Sequence, residues 1–261
     1  MLAARSYLPL FICDAVGSLI TAVIVWMVIK ETRPATGPEE PEQTMAEALA
    51  GYRDVLRDVT FALFLGACAL MMLVYMQMNV SLAVFLRDTH GVSDQGFGYV
   101  MTLNAAMVVL FQFSVTRWTS RHRPLQVMAA GTLLYAIGFG MYGFVSVYLL
   151  FLLAMAIITV GEMVVTPTSE ALAAGFAPLD MRGRYMAAYG ASWAVPSIVG
   201  PFLAGLVLDN LDQRWLWYIA GLVGLLAAGA FGLLQRRVRE RSGGLDRSAA
   251  RSDAERQTVG R

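Results

Sequence analysis

The chain has 261 residues, of which 57% are apolar and 15% are charged, and its 20 Lys and Arg are balanced by 19 Asp and Glu. A soluble domain has about 45–50% apolar and about 25% charged residues. This composition, with a net charge of +1, excludes a soluble globular protein, a disordered chain and a nucleic-acid-binding protein. A membrane-spanning helix takes about 20 apolar residues, so the apolar content is enough for about seven spans.

Seven apolar blocks follow one another along the chain. Their predicted bounds are residues 7–29, 60–86, 97–115, 125–144, 148–176, 186–208 and 215–234. None of them alternates polar and apolar residues as the strands of a transmembrane barrel do. Backbone groups in hydrocarbon must be hydrogen-bonded within their own segment. The sequence therefore predicts an all-α polytopic membrane protein with about seven transmembrane helices.

Two segments have the composition of regions outside the membrane. Residues 31–58 begin with ETRPATGPEEPEQ and become amphipathic over residues 45–57, which predicts a cytoplasmic linker with a short surface helix. Residues 236–261 have almost no large apolar side chains, which predicts a disordered, basic cytoplasmic tail. The expected domains are one transmembrane helix in 1–30, the linker in 31–58, a six-helix half in 59–235 and the tail in 236–261.

Arginine and lysine are distributed unequally between alternate connections, which predicts the orientation in the membrane. One side of the predicted membrane carries thirteen of them: Lys30, Arg33, Arg53, Arg57, Arg117, Arg121, Arg123, Arg182, Arg184, Arg236, Arg237, Arg239 and Arg241. The other side carries only Arg5, Arg87 and Arg214. The first side is therefore predicted to be cytoplasmic. The protein is expected in the plasma (inner) membrane, with its N-terminus outside the cell and its C-terminus in the cytoplasm.

Glu162 is the most informative polar residue because it lies near the middle of the fifth block. Thr166, Ser169 and Glu170 share its helix face, and Pro167 is expected to bend the helix there. Ionisable residues inside a membrane usually have a function, so Glu162 is the predicted proton-coupling residue. The alternative is a protonated Glu162 that only joins neighbouring helices through hydrogen bonds.

Further polar and aromatic side chains recur at helical spacing in the second, third and sixth blocks. The predicted substrate-cavity residues are Tyr75, Asn79, Asn104, Gln112, Tyr185, Tyr189 and Trp193. The alternative is that they form hydrogen bonds between helices and, near the interfaces, an aromatic belt. In the last block, Gly224, Ala228 and Gly232 form a stripe of small residues that predicts close helix packing.

Enzymatic and chromophore-binding functions are not expected. The two histidines, His90 and His122, lie outside the apolar blocks, and no cluster of metal ligands is found, so no metal or other cofactor is predicted. A retinal-binding protein needs a lysine for its Schiff base, but the only lysine is Lys30, at a helix end.

The run GEMVVTPTSEALAAGFAPLDMRGRYMAAYGASWAVPSIVGPFLAGLVLD, residues 161–209, resembles helices ten and eleven of the drug:proton antiporters of the major facilitator superfamily. The exit KETRP at Lys30 resembles the end of helix six of that family. The basic stretch from Thr116 to Arg123 resembles a degenerate copy of the family's basic loop signature, and Gly200-Pro201 resembles its Gly-Pro signature.

The resemblance implies the C-terminal half of a twelve-helix transporter together with helix six. It further implies proton-coupled efflux of small amphipathic compounds, with the lipid bilayer as surroundings and a separately encoded N-terminal half as a possible partner. Because only one half and one additional helix are recognised, a truncated or split gene is expected. The alternative is a non-transporting membrane protein, either an assembly partner or a gene remnant.

Overall fold

The computed structural model describes the backbone of residues 8–28, 53, 55–178 and 181–259, and side chains in these ranges from residue 11 to residue 239, except that of residue 13. All regular secondary structure within these ranges is helical. The helices are α1 (Leu8–Val28), α2 (Val59–Val80), α3 (Leu82–His90), α4 (Asp94–Thr119), α5 (Pro124–Phe144), α6 (Tyr148–Phe176), α7 (Arg182–Asn210) and α8 (Arg214–Val259).

The helix ends follow local sequence signals. Asp58 caps α2, because its Oδ1 accepts hydrogen bonds from the backbone N–H groups of Thr60 and Phe61 at 3.0 and 3.1 Å. Ser93 caps α4 by accepting a bond from the N–H of Gly96 at 3.2 Å. Gly91 ends α3 in the left-handed region at φ 64°, where a residue without Cβ is favoured.

Six described helices are long and apolar enough to cross a bilayer, namely α2, α4, α5, α6, α7 and the part of α8 up to Arg239. Within α1, Asp14–Val28 is a shorter apolar helical segment. The predicted all-α membrane fold is confirmed, and the six later blocks each correspond to one of these spans.

The second predicted block is wrong in one respect, because it is not one continuous helix. Ser81 (φ −108°, ψ −25°) separates α2 from α3. The hydroxyl of Ser81 donates to Oε1 of Gln77 at 2.8 Å and does not cap α3. A buried side-chain hydrogen bond thus forms where the apolar pattern alone indicated an unbroken span.

The tail prediction also differs from the structure. The backbone of α8 continues as a helix to Val259, whereas the sequence predicted disorder from residue 236. The segment is rich in Arg and also contains Ala, and both residues have high helix propensity. Low apolar content indicates little burial, but it does not prevent a helix. The predicted linker at 31–58 lies largely outside the described residues.

Two compact units are found, residues 1–48 and residues 49–261. The first is represented by α1. In the second, the most extensive packing joins α5 to α8 and to α6, α2 to α7 and α8, and α4 to α6. Helix α4 buries only Val100 and Thr119, so most of its surface is left for lipid or for another protein segment.

Helices α5 and α8 approach each other closely because small residues face each other. A methyl group added at Gly224 would lie 2.9 Å from Cα of Ala136, and one at Gly221 would lie 3.2 Å from Cα of Gly140. The predicted close packing is therefore found at Gly224. It is not found at Gly232, where an added methyl group would meet nothing within 4 Å.

Candidate functional site

The carboxyl group of Glu162 lies at the meeting point of three helices. Tyr75 of α2 donates a hydrogen bond from its hydroxyl to Oε1 at 2.8 Å. Asn104 of α4 donates from Nδ2 to Oε2 at 2.7 Å. Glu162 itself is half-buried, and in the described part of the chain no basic side chain forms an ion pair with it. Both carboxyl oxygens are therefore occupied by neutral donors.

Two residues that the sequence analysis did not select complete this cluster. Thr159 of α6 accepts a hydrogen bond from Nδ2 of Asn104 at 3.0 Å and donates its own to the carbonyl of Met155 at 2.8 Å. Tyr135 of α5 is buried with its ring 5.7 Å from that of Tyr75. Thr159 precedes Glu162 by three residues, so helical spacing could have identified it, whereas the place of Tyr135 depends on packing between helices.

Gln112 forms its hydrogen bonds with groups other than Glu162, although it shares a helix face with Asn104. Its Nε2 donates to the main-chain carbonyl of Met163 at 3.0 Å and to Oγ1 of Thr116 at 2.9 Å. This residue thus connects α4 to the backbone of α6.

A second polar group joins α6 and α7. The hydroxyl groups of Ser169 and Tyr189 lie 2.7 Å apart, and both side chains are buried. The ring of Trp193 stands edge-on to that of Tyr189 at 6.2 Å. The indole Nε1 of Trp193 is buried and lies beside the hydroxyl of Tyr189, but it forms no hydrogen bond of normal geometry among the described residues. It is a donor that a bound molecule with an acceptor atom could satisfy.

Two predicted cavity residues lie elsewhere. The hydroxyl of Tyr185 is 3.3 Å from Oδ2 of Asp58, and its ring packs 4.5 Å from that of Phe61. Phe61 and Tyr75 are fourteen residues apart on α2, about 21 Å at 1.5 Å per residue, so Tyr185 belongs to the helix end. Asn79 is exposed, and its amide forms no hydrogen bond to the described part of the chain.

The arginines predicted for the basic loops lie at helix ends. Arg117 is in the last turn of α4, Arg123 precedes α5 as its N-cap, and Arg182 begins α7. Arg121 lies in the turn between α4 and α5, and Arg184 lies in the first turn of α7. Because short connections join successive helices in opposite directions, all five lie at one end of the bundle.

His90, which lies outside the membrane spans, has a lowered pKa and an aromatic environment. The ring of His90 lies between those of Phe85 and Phe151, at 5.0 and 4.8 Å. Burial lowers the pKa of His90, and the positive charge of Arg214 lowers it further. No group of three or more possible metal ligands is found among the described residues.

Comparison with known proteins gives a family match over most of the chain. Residues 69–257 match the family model of the Major Facilitator Superfamily. Over 214 residues, 74% of this chain and 50% of the relative, the sequence is 23% identical to a Na(+), Li(+), K(+)/H(+) antiporter of Planococcus maritimus. Over 108 residues, 41% of this chain and 24% of the relative, it is 29% identical to the multidrug efflux pump SdrM of Staphylococcus aureus (strain N315).

A solved structure shares the fold. It is a POT family transporter in complex with a thioalcohol-conjugated peptide, similar at a TM-score of 0.63 and 14% identity over 90% of this chain and 54% of the transporter. At that identity the similarity concerns the fold alone. The chain spans about half the length of such relatives, 50% for the antiporter.

Proposed function

The chain belongs to the Major Facilitator Superfamily, and we propose that it forms half of a proton-coupled efflux transporter for small amphipathic compounds. The observation that carries the proposal is the position of Glu162 between Tyr75 and Asn104, where no basic side chain of the described part of the chain forms an ion pair with its carboxyl group. The similarity to a cation/proton antiporter and to a multidrug efflux pump supports the same reading.

Glu162 is proposed to bind and release the coupling proton. When ionised, its two oxygens accept charge-assisted hydrogen bonds from α2 and α4, which are stronger than bonds between neutral groups. When a proton is bound, the charge is lost and these two bonds weaken. The protonation state of one carboxyl group on α6 therefore controls how firmly α2 and α4 are held to it.

The substrate is proposed to contact the polar face formed by Tyr189 and Trp193, near Glu162. Ser169 lies seven residues after Glu162 on α6, about 10 Å along the helix at 1.5 Å per residue, and it holds the hydroxyl of Tyr189. The Nε1 of Trp193, which lies beside the hydroxyl of Tyr189 without a hydrogen bond of normal geometry, supplies a donor, and the aromatic rings supply apolar surface. This combination suits amphipathic molecules.

Alternating access in this family uses two six-helix halves that rock about a site near the middle of the membrane. The bundle α2–α8 corresponds to one such half, and we propose that it works against a second half in the same or a separately encoded polypeptide. The exposed apolar side chains of α4, with Val109 82% and Phe113 78% exposed, provide surface for such a partner.

The proposed location is the plasma (inner) membrane, with the arginine-rich helix ends at the cytoplasmic side. In this orientation the C-terminus is inside and the N-terminus outside.

Ethidium efflux tests the role of Glu162. A bacterial host that lacks its own multidrug pumps would express the chain, as wild type, Glu162→Gln or Glu170→Gln, together with the second half that it is proposed to work against. Loss of ethidium fluorescence would be followed after energisation. The control, Glu170, is an exposed carboxylate on the same helix. Efflux is expected from the wild type and Glu170→Gln and is expected to fall to the vector level in Glu162→Gln at equal membrane amounts.

Equal efflux by the wild type and Glu162→Gln would contradict the coupling role. Efflux at the vector level for every version would favour the alternative function, a non-transporting assembly partner or gene remnant. The chain spans about half the length of its relatives. Co-purification of an N-terminal half with the tagged chain would favour an assembly partner, and its absence would favour a gene remnant.

A further inference from the structure

A cavity of about 370 Å³ lies between the start of α5 and the membrane-spanning part of α8. Three arginines line it, Arg123, Arg236 and Arg239, and all three are exposed. Gln126 and Gln235 add two amide groups. No acidic residue lines the cavity, and none of the three arginines is ion-paired within the part of the chain that the structure describes. Three positive charges thus converge without a counter-charge among the described side chains.

The floor of this cavity is formed by the small residues Ala129 and Gly232. A methyl group added at Gly232 would meet nothing within 4 Å, whereas one at Gly224, two turns earlier, would lie 2.9 Å from Ala136. The two helices are therefore in backbone contact in the middle of the membrane and separate towards the arginines. The small residues keep this widening space open.

An apolar surface continues from the cavity along both helices. On α5, Leu133 and Ile137 follow Ala129 at intervals of four residues and are 42% and 45% exposed. On α8, Leu225 precedes Gly232 by seven residues and is 51% exposed. Side chains at these spacings lie on one helix face. The cavity is thus cationic at the helix ends and apolar towards the middle of the membrane.

The cavity also lies at the depth where lipid headgroups are found. Helix α5 begins at Pro124, and the apolar run of α8 ends at Leu234, just before Arg236, so both helices are expected to reach the membrane surface beside the cavity. The N-terminus of α5 carries the positive end of its helix dipole. Basic pockets between transmembrane helices at this level bind anionic headgroups.

We propose that this cavity binds a phospholipid with an anionic headgroup. Arg123, Arg236 and Arg239 hold the phosphate, and an acyl chain lies along the apolar stripe through Leu133 and Leu225. A free phosphate ion would use only the arginines, so the apolar continuation favours a lipid. The proposal is independent of the coupling role of Glu162.

Native mass spectrometry of the full chain in detergent tests the proposal, with phosphatidylglycerol as the probe and phosphatidylcholine, which is zwitterionic and has no net charge, as the comparison. Arg123→Gln and Arg236→Gln are each expected to lower binding of phosphatidylglycerol about fivefold, which corresponds to about 1 kcal/mol for one arginine near a membrane surface. Arg237→Gln is the matched control, because Arg237 is the exposed neighbour of Arg236 and does not line the cavity.

Gly232→Leu provides a test that leaves every charge in place. The leucine would fill the open space above the floor and is expected to reduce lipid binding without loss of folding, which circular dichroism checks. The proposal is overturned if Arg237→Gln weakens binding as much as Arg236→Gln, or if phosphatidylcholine binds equally well. Displacement of the lipid by millimolar inorganic phosphate would also overturn it, because the cavity would then bind free anions.

Discussion

The side-chain amide of Gln112 on α4 donates a 3.0 Å hydrogen bond to the main-chain carbonyl of Met163 on α6. Four residues after Met163 comes Pro167, which has no N–H to bond this carbonyl within the helix. Gln112 therefore supplies the donor that proline removes. A buried carbonyl left without a donor would cost free energy, so the two helices depend on each other at this point.

Gln112→Leu is expected to lower the free energy of unfolding by about 1–2 kcal/mol, because the Met163 carbonyl loses its donor. In a Pro167→Ala background the cost should be smaller, since alanine restores the N–H that bonds Met163 within the helix. Chemical unfolding of the full chain in mixed micelles would measure the four members of this cycle. The same cost in both backgrounds would show that Gln112 does not replace the missing bond.

Tyr75→Phe is expected to lower the free energy of unfolding by about 1–2 kcal/mol, because it removes a hydrogen bond to a carboxyl group in the bundle. Tyr99→Phe is the matched control. The hydroxyl of Tyr99 accepts a bond from Gln95 at 2.8 Å, but both residues are exposed. Its removal should change stability by less than about 0.5 kcal/mol. Equal costs for the two variants would contradict the special role of the Tyr75–Glu162 bond.

His90 should make stability depend on pH. The pKa of His90 is lowered in the folded protein. The unfolded state therefore binds a proton near pH 6.5, about the ordinary pKa of histidine, whereas the folded state binds it only at lower pH. The stabilisation is complete above that pH and is lost as the pH falls through it towards the lowered pKa. The Tm of the full chain, measured from about pH 8 to about pH 5, should therefore fall on acidification.

Two variants distinguish the contribution of His90 to the pH dependence of Tm from the contributions of other titratable groups. His90→Gln should remove this part of the fall, because the titrating ring is absent. Arg214→Gln should reduce it, since Arg214 contributes to the lowering of the pKa. An unchanged fall of Tm in His90→Gln would assign the pH dependence to other groups.

Reporter fusions should show that the two ends of the helix bundle lie on opposite sides of the membrane. Alkaline phosphatase, active only outside the cytoplasm, should be active when fused after Gly91 and inactive when fused after Ser120. A green fluorescent protein fusion should show the reverse pattern. The expectation rests on the three arginines near Ser120, Arg117, Arg121 and Arg123, and on the positive-inside rule. Reversed reporter activities would invert the proposed orientation.

Much of the fold could be predicted because each span carries its own signal. The bounds predicted for α6, residues 148–176, match the structure, and Glu162 inside them was recognised as exceptional. The break at Ser81 was not predicted, since an apolar run continues through it. The helical tail after residue 236 was also missed, because composition indicates burial more directly than it indicates helix formation.

The candidate site was predicted only in part. Asn104 and Gln112 share a helix face, yet Asn104 bonds Glu162 whereas Gln112 bonds the backbone at Met163. Helical spacing tells which residues of one helix point the same way. Helical spacing does not tell which neighbouring helix packs against these residues, or which residues of that helix lie at the same level along the bundle.

The sequence by itself determined that this protein crosses a membrane through apolar helices, which end of the bundle is rich in arginine, and that the carboxyl group of Glu162 lies near the middle of a span. These are properties of single segments in lipid, where every helix satisfies its own backbone hydrogen bonds. The tertiary structure decided that Tyr75, Asn104 and Thr159 surround Glu162, and that three arginines from two helices form one cavity. These contacts depend on how the helices pack. Sequence patterns within one helix cannot reveal a contact between residues as distant in the chain as Tyr75 and Glu162.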